Sequence, residues 1–325
     1  MKAALMNPKD GILQYSEHPD PVISSESELL MRVKAAAIKN VDRSIASGKH
    51  YSSETSAVGP IKVIGSDGVG VLADGTRIYA VGMQGMVAEF AVIEKSRMVI
   101  LPDNLNFVTA AALPNAVIGA AMGLRFKADI QPGDTVLING ATGVTGRIAV
   151  QLAKYYGAKK VFVTGRNPES LSALIELGAD ETISLRQDDE DIIAQLQHIH
   201  NHTPIDIVID YLWGHPAELA LRSLAGKGNF THRTRFVSVG SIAGEILPLS
   251  SAILRSVNLT LAGSGIGSLT RKDIGILFSE IMPEMFQLAA DGKLTIETTT
   301  FPLTEIESIY DANIPDGKRL VIEMI

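Results

Sequence analysis

The segment Asp134–Asn167 constrains the fold of this chain more than any other part of it. It opens with TVLI at residues 135–138, a short apolar run that is typical of a buried strand. A glycine-rich turn (GATGVTG), an amphipathic helical pattern ending near Gly157 and a second apolar run at residues 161–163 follow. The order of strand, glycine-rich turn, helix and strand predicts a β-α-β unit that binds a dinucleotide.

The glycine-rich turn is the part of this unit expected to contact the cofactor. Glycines allow backbone N–H groups to approach a pyrophosphate, which then lies at the positive end of the following helix. We therefore assign the residues of the turn to cofactor binding: Gly140, Ala141, Thr142, Gly143, Val144, Thr145 and Gly146.

The residues after the second strand indicate which dinucleotide is bound. Sites that prefer NAD place an Asp or Glu about 20 residues after the glycines. Here Arg166 lies 20 residues after Gly146, flanked by Gly165 and Asn167, with no carboxylate. A guanidinium can bind the 2′-phosphate of NADP(H) in a charge-assisted contact worth about 1.5–3 kcal/mol. The position favours NADP(H), and a surface arginine beside a helix cap at Asn167 is the alternative interpretation.

Composition excludes several classes of function. At 325 residues the chain has room for about two domains, and its net charge of −7 argues against nucleic acid as a partner. The absence of cysteine excludes disulfides, thiolate metal sites and cysteine nucleophiles. The N-terminal apolar run is too short for a signal peptide, and we expect no stretch long enough to span a membrane. A cytoplasmic protein without a membrane partner is therefore expected.

The apolar pattern changes near residue 114. Before it, turn residues separate short expected strands at 28–38, 61–64, 69–73, 76–81 and 87–93, with a helix at 41–46. After it, strands alternate with helices, which implies a parallel sheet covered on both faces. The strands are expected at 135–138, 161–163, 181–184, 205–210, 235–239, 259–262, 298–301 and 319–323. The helices are expected at 116–126, 169–177, 190–197, 217–224, 272–290 and 305–312.

Several further segments resemble, in order, those of one family: Leu113-Pro114, GDTVL at 133–137, VQLAK at 150–154, LGAD at 177–180, Val239-Gly240 and GKRLV at 317–321. With them the chain resembles the medium-chain dehydrogenase/reductase superfamily, and within it the zinc-free quinone oxidoreductases, over nearly its whole length.

The resemblance implies a fold of the α/β class. A Rossmann domain with a doubly wound parallel sheet is inserted into a β-rich, GroES-like catalytic domain. We expect the catalytic domain at residues 1–113 and 263–325, and the NADP-binding domain at 114–262. The resemblance also implies a homodimer, in which the edge strand at 259–262 pairs with its copy.

The implied activity is hydride transfer from NADPH to a quinone or an α,β-unsaturated carbonyl compound. Because ligands of doubly wound sheets bind at the carboxyl ends of the strands, the nicotinamide side is assigned to Tyr211, Leu212, Val239, Gly240 and Ser241. Asn40 of the first domain is assigned to the cofactor as well. Trp213 either joins this side or packs between the domains.

A catalytic zinc ion is not expected. The zinc-dependent branch of the superfamily has a Gly-His-Glu segment near the end of the first β-rich part, where this chain has Gly65-Ser66-Asp67. Histidine is thus replaced by serine, and the cysteine ligands are missing from the whole sequence. A tetrahedral catalytic site needs three protein ligands. His198 and His202, one helical turn apart, are interpreted as a solvated helix end.

Three residues are candidate hydrogen-bond donors to a substrate oxygen: Lys39, His50 and Tyr51. Reducing an enone produces enolate charge that such a donor stabilises, whereas a reduced quinone can take its proton from water. Each has an alternative. Lys39 could bind cofactor phosphate or ribose or pair with Asp42, His50 could be exposed, and Tyr51 could cap a loop.

Two other functions stay open from the sequence. An enoyl-thioester reductase would need a donor such as Tyr51 and a basic groove for its carrier. A non-catalytic NADPH-binding sensor would keep the fold without turnover. Lys39, His50 and Gly119 keep that alternative open, because they depart from the residues that the family often has at these places.

Overall fold

The computed structural model describes residues 1–7, 11–46, 61–226 and 231–324. It divides into two compact units, one formed by Met1–Asn115 with Gly275–Ile325 and the other by Ala116–Ile274. His50 and Tyr51 lie outside the described residues.

In chain order the described strands are β1 (Lys2–Met6), β2 (Leu13–Glu17), β3 (Glu28–Ile38), β4 (Lys62–Val63), β5 (Asp67–Val71), β6 (Arg77–Gly82), β7 (Phe90–Ile100), β8 (Thr135–Asn139), β9 (Lys160–Gly165), β10 (Glu181–Ser184), β11 (Ile207–Asp210), β12 (Thr234–Ser238), β13 (Leu259–Gly263), β14 (Glu297–Pro302) and β15 (Lys318–Glu323). The α-helices are α1 (Asn40–Ala46), α2 (Phe107–Met122), α3 (Val144–Tyr155), α4 (Pro168–Glu176), α5 (Asp189–His202), α6 (Gly214–Ser223), α7 (Ser251–Ser256), α8 (Arg271–Ile276), α9 (Met282–Ala290) and α10 (Ile306–Ile309). Single 3₁₀ turns lie at Ile266–Ser268 and Leu303–Glu305, and π-helical turns at Gly123–Lys127 and Leu277–Ile281.

The first unit is built around β3. This strand pairs antiparallel with β5, β7 and β15, and β5, β6 and β7 pair in turn, so that four strands close a circuit. A smaller sheet has the order β2-β1-β4. The core between the strands is aliphatic and includes Met31, Ile78, Ile93 and Ile322. The expected β-rich domain is confirmed.

The second unit is a parallel sheet in the order β10-β9-β8-β11-β12-β13. From β8 the chain moves one way to β9 and β10, and then returns to add β11, β12 and β13 on the other side. The order therefore reverses between β8 and β11, where doubly wound sheets bind their ligands. All five residues of β8 are buried, as expected for a central strand covered on both faces. The Rossmann fold is confirmed.

The structure differs from the expected elements at identifiable places. β1 and β2 were not expected, because β1 has no polar alternation and β2 is a mostly polar strand, LQYSE. Helix α2 begins at Phe107 and contains Pro114, where the sequence pattern indicated a helix starting only after that proline. The long helix expected at 272–290 is interrupted by the π-helical turn Leu277–Ile281.

The expectation that no stretch is long enough to span a membrane is wrong for one segment. Among the described residues, the helical stretch Phe107–Lys127 is long enough and apolar enough to cross a membrane, by length and composition alone. However, 67% of its most apolar part is buried inside the protein, as in a helix of a protein core. Its alanine-rich sequence reflects close packing.

Candidate functional site

The glycine-rich turn follows β8 at the point where the sheet order reverses. Gly140 has a φ of 83°, a left-handed conformation that favours glycine, and the side chain of Leu212 lies over it. Thr164, near the end of β9, accepts the N–H of Gly140 on its hydroxyl and the N–H of Ala141 on its carbonyl, each at 2.9 Å. The turn is therefore held between the ends of β9 and β11.

The same turn leads directly into helix α3. Gly143 occupies the N-cap position with a φ of −74°, and no side chain caps the helix there. A Cβ on Gly146 would lie 2.5 Å from the Cα of Ala141, whereas a Cβ on Gly143 would meet nothing within 4 Å. Gly146 thus allows the helix to pack against the turn, and Gly143 leaves open space at the positive end of the helix.

Arg166 lies beside the turn. A Cβ on the preceding Gly165 would lie 2.4 Å from Cγ2 of Thr142, so the end of β9 approaches the turn as closely as its atoms allow. Arg166 itself is exposed. Asn167 accepts a hydrogen bond from the N–H of Ser170 at 3.0 Å and caps α4. The helix cap and an accessible guanidinium therefore coexist.

A buried hydrogen-bonded chain, which the sequence interpretation missed, connects the ends of three strands. The hydroxyl of Thr164 donates to Oδ1 of Asn139 at 2.6 Å, and the side-chain amide of Asn139 donates to Asp210 at 2.8 Å. The Asp210 carboxylate also accepts the N–H groups of Leu212 at 3.2 Å and Trp213 at 3.0 Å. Polar residues ending apolar strands (TVLIN and IVID) were the sequence signal.

Asp210 carries an unfavourable buried charge. Burial raises the pKa of its carboxyl from 3.8 to about 6, although the hydrogen bonds from Asn139, Leu212 and Trp213 favour the ionised form. Trp213, whose backbone N–H donates to the Asp210 carboxylate, has φ 53° and ψ −161°. This conformation is rare for any residue with a side chain. Such strain costs of order 1–3 kcal/mol and clusters at functional sites. Asp210 thus holds a strained turn beside the glycine-rich turn.

The other expected residues of the nicotinamide side gather at the same edge of the sheet. The hydroxyl of Tyr211 donates to the carbonyl of Gly119 at 3.2 Å, and burial raises the pKa of this tyrosine. The N–H groups of Val239 and Gly240 bond to the carbonyl of Asp210 at 2.8 and 3.2 Å. Ser241 is exposed immediately after them. A Cβ on Gly119 would lie 2.7 Å from Cγ2 of Thr145, so a glycine suits this position.

In the first unit, Lys39 is 2% exposed and its ammonium lies between two carboxylates. Its Nζ is 3.2 Å from Oδ2 of Asp42 and bonds to Oδ1 of Asp67. The pairing with Asp42 left open by the sequence is present, and a donor role toward substrate stays a prediction. The neighbouring Asn40 is exposed at the first position of α1, and its contact with the cofactor also stays a prediction.

The three histidines near the end of α5 bond locally. His202 Nδ1 lies 2.8 Å from the carbonyl of His198, and His200 Nδ1 accepts the N–H of Ile205 at 3.1 Å. Within the described ranges, no group of three His, Asp or Glu side chains is arranged to hold a metal ion.

The known proteins that this chain is similar to are dehydrogenases and quinone oxidoreductases. A family model described as "Zinc-binding dehydrogenase" matches residues 144–290. A quinone oxidoreductase-like protein 2 homolog of Nematostella vectensis is 30% identical over 242 residues, covering 74% of this chain and 63% of that protein. The chain thus spans less than two-thirds of that relative's length.

Two further matches extend over nearly all of both chains. Quinone oxidoreductase 1 of Escherichia coli is 26% identical over 317 residues and is covered to 93%, as is this chain. The quinone oxidoreductase of Thermus thermophilus, solved alone and in complex with NADPH, is 26% identical, with a TM-score of 0.79 and complete coverage of both chains.

The residues fit a dinucleotide and do not fit zinc. Gly143 leaves open space at the start of α3, and the exposed Arg166 follows Gly165, which approaches the turn at Thr142. At the place of the zinc-binding segment, Ser66 donates its hydroxyl to Asp42 and Asp67 binds the Lys39 ammonium. These groups offer only oxygen atoms, each already bound to a protein donor, and lack the histidine or cysteine that catalytic zinc sites include.

Proposed function

The chain belongs to the medium-chain dehydrogenase/reductase superfamily, in its quinone oxidoreductase branch, and from this premise we propose that it is an NADPH-dependent, zinc-independent oxidoreductase. Its substrate is a quinone, with α,β-unsaturated carbonyl compounds as the related class.

One observation carries the preference for NADPH. Arg166 follows the strand whose end bonds to the glycine-rich turn, since Thr164 accepts N–H groups of both Gly140 and Ala141. No carboxylate occupies this place, so a 2′-phosphate meets a cation rather than an anion. The same place in an NAD site would hold an acid that bonds the ribose 2′-hydroxyl.

Several residues have separate roles in binding. The open start of α3 at Gly143 takes the pyrophosphate, because free N–H groups and the helix dipole both favour an anion there. Arg166 binds the 2′-phosphate through a charge-assisted contact. Tyr211 and Val239, at the ends of the strands beyond the reversal, border the nicotinamide side. The carbonyl of Asp210 accepts the N–H of Val239 and its carboxylate accepts the N–H of Leu212, which keeps both segments in position.

Reduction of a quinone needs little acid catalysis from the protein. NADPH, when bound, supplies a hydride from C4 of its nicotinamide. A quinone that accepts this hydride and one proton becomes a hydroquinone, and water can supply the proton. An enone needs a donor for the developing enolate. Tyr51 and His50 are the first candidates, because the Lys39 ammonium is held between two carboxylates.

The experiment that tests the function is steady-state oxidation of NADPH with three acceptors: a para-benzoquinone, an enone and an enoyl thioester. A metal chelator is present throughout. We expect the quinone to be the best acceptor and the chelator to leave its rate unchanged. Loss of activity with the chelator would overturn zinc independence.

Two outcomes would support the alternatives. Preference for the thioester would identify an enoyl-thioester reductase. Tight NADPH binding without turnover of any acceptor would identify a sensor that has kept the fold. The proposal also includes a cytoplasmic location and a homodimer, without nucleic acid or membrane partners.

A further inference from the structure

Lys39 lies in a buried cluster with two carboxylates. The cluster resembles a cation-binding site in which the cation is the side chain of a lysine of the protein itself. The Lys39 ammonium contacts Asp42 from α1 and Asp67 from β5, and these three side chains are at most 9% exposed. Lys39 is among the largest fully buried side chains of the protein. A lysine is rarely buried so completely unless its charge is paired.

Every carboxylate oxygen of the cluster has a donor. Oδ1 of Asp42 accepts the Ser66 hydroxyl at 2.9 Å, and Oδ2 accepts the backbone N–H of Lys39 at 3.0 Å besides facing the ammonium. Oδ1 of Asp67 binds the ammonium, and Oδ2 accepts the Tyr79 hydroxyl at 2.9 Å. Every oxygen of these two carboxylates is thus already engaged by a donor of the chain itself.

The charges of the cluster also balance without a metal. Burial disfavours the Lys39 ammonium, but the two carboxylates outweigh it, so the pKa of Lys39 is raised. Arg319, 8% exposed, adds a second cation whose charge acts on both Asp67 and Asp42. Two cations thus face two anions, so the cluster has no net negative charge that would attract a divalent cation.

We propose that Lys39 is the resident cation of this site and makes it independent of metal. Its ammonium neutralises Asp42 and Asp67 and holds α1 and β5 in place, where a zinc-dependent relative uses a metal ion. The proposal rests on the proposed zinc independence, and it adds the residue that replaces the metal.

The first test compares thermal unfolding of the wild type with that of Lys39→Met, which keeps the unbranched stem and removes the charge. Breaking a buried pair leaves uncompensated carboxylates, so the melting temperature should fall by roughly 6–20 °C for a domain of this size. Adding Asp67→Asn to Lys39→Met removes one of those carboxylates and should recover a large part of the loss. Lys62→Met, at an exposed lysine of β4, is the matched control.

The second measurement is the metal content of the wild-type protein and its response to Mn²⁺ and Zn²⁺. We expect no bound metal, and a melting temperature unchanged by either ion or by a chelator. Lys39→Ala opens space between the carboxylates, and Mn²⁺, which prefers oxygen ligands, should stabilise this variant alone.

Three results would overturn the proposal. They are a Lys39→Met protein as stable as the wild type, a double variant no more stable than Lys39→Met, and a stoichiometric metal ion in the wild type whose removal destabilises it. If Lys39→Met does not fold, the stability of the double variant and the metal content of the wild type still test the proposal. None of these readouts depends on turnover. The two stability results test Lys39 alone, whereas a stoichiometric metal ion would overturn the proposed zinc independence as well.

Discussion

The side-chain amide of Asn139 donates a hydrogen bond to the carboxylate of Asp210, 2.8 Å away, where two neighbouring parallel strands end in register. Both residues are buried, at 1% and 0% exposure. Through Thr164, Asn139 also reaches the N–H of Gly140 in the glycine-rich turn. One chain of hydrogen bonds therefore connects the expected pyrophosphate site with the strained turn at Trp213.

The first prediction concerns the pH dependence of stability. The pKa of Asp210 is raised from 3.8 to about 6, so between pH 4 and pH 6 the folded state binds more protons than the unfolded state. The free energy of unfolding contributed by this group therefore falls as pH rises through that window, by about 3 kcal/mol in total. Asp210→Asn removes this contribution, so the variant should gain stability relative to the wild type from pH 4 to pH 7.

Urea unfolding of both proteins at several pH values measures this difference. Parallel stability curves for the wild type and Asp210→Asn would contradict the raised pKa. Asp188→Asn, at an exposed carboxylate of the same domain, controls for the general effect of removing a negative charge.

The second prediction separates two glycines of the turn. In Gly146→Ala the new Cβ meets backbone atoms of Ala141, so helix α3 must shift; we expect a loss of about 1–3 kcal/mol in stability together with weaker NADPH binding. In Gly143→Ala the new Cβ meets open space, so stability should fall less than in Gly146→Ala, by no more than the cost of alanine at an N-cap, while NADPH binding weakens.

Fluorescence titration with NADPH and thermal unfolding of the same samples distinguish the two effects. If Gly143→Ala binds NADPH like the wild type, the start of α3 is not the pyrophosphate site.

The third prediction concerns the edge of the Rossmann sheet. β13 is an edge strand, as expected, and Leu261 within it is 37% exposed. Edge strands expose unpaired backbone groups that can pair with a second copy. Sedimentation should therefore give twice the chain mass, and Leu261→Lys should shift the protein toward the monomer. A wild-type mass equal to one chain would contradict the dimer.

The fourth prediction tests Tyr51, which lies outside the described residues and rests on the sequence alone. Removing a positioned acid typically costs at least about 10²-fold in rate. Tyr51→Phe should therefore slow reduction of an enone strongly, while quinone reduction and NADPH affinity change little, because water can protonate the reduced quinone. Enone turnover equal to that of the wild type would remove Tyr51 from the mechanism.

Sequence patterns predicted the Rossmann half well because its signals are local. The strand at 181–184 was predicted with the bounds that the structure has, and Asn167 was predicted as the cap of α4. Both depend on residues adjacent in the chain. Helix α2 was predicted to start too late, because a proline usually ends or begins a helix, whereas Pro114 lies buried within this one.

The polar contacts could not be predicted in the same way. Asn139 and Asp210 are 71 residues apart in the chain, and Lys39 and Asp67 are 28 apart. Only the strand register brings each pair together. The family resemblance marked Lys39 as a departure, and the sequence offered Asp42 as a possible partner. Asp67 and Tyr79 complete the cluster from other strands.

The measurement that tests the central claim most directly is the ratio of kcat/KM for NADPH to that for NADH, with a para-benzoquinone and a chelator present. The wild type should prefer NADPH by about ten- to a hundredfold. In Arg166→Ala this ratio should approach one, because kcat/KM falls for NADPH and stays the same for NADH. Arg255→Ala, on α7, should keep the wild-type ratio. Equal use of both cofactors by the wild type, or an unchanged preference in Arg166→Ala, would contradict the account.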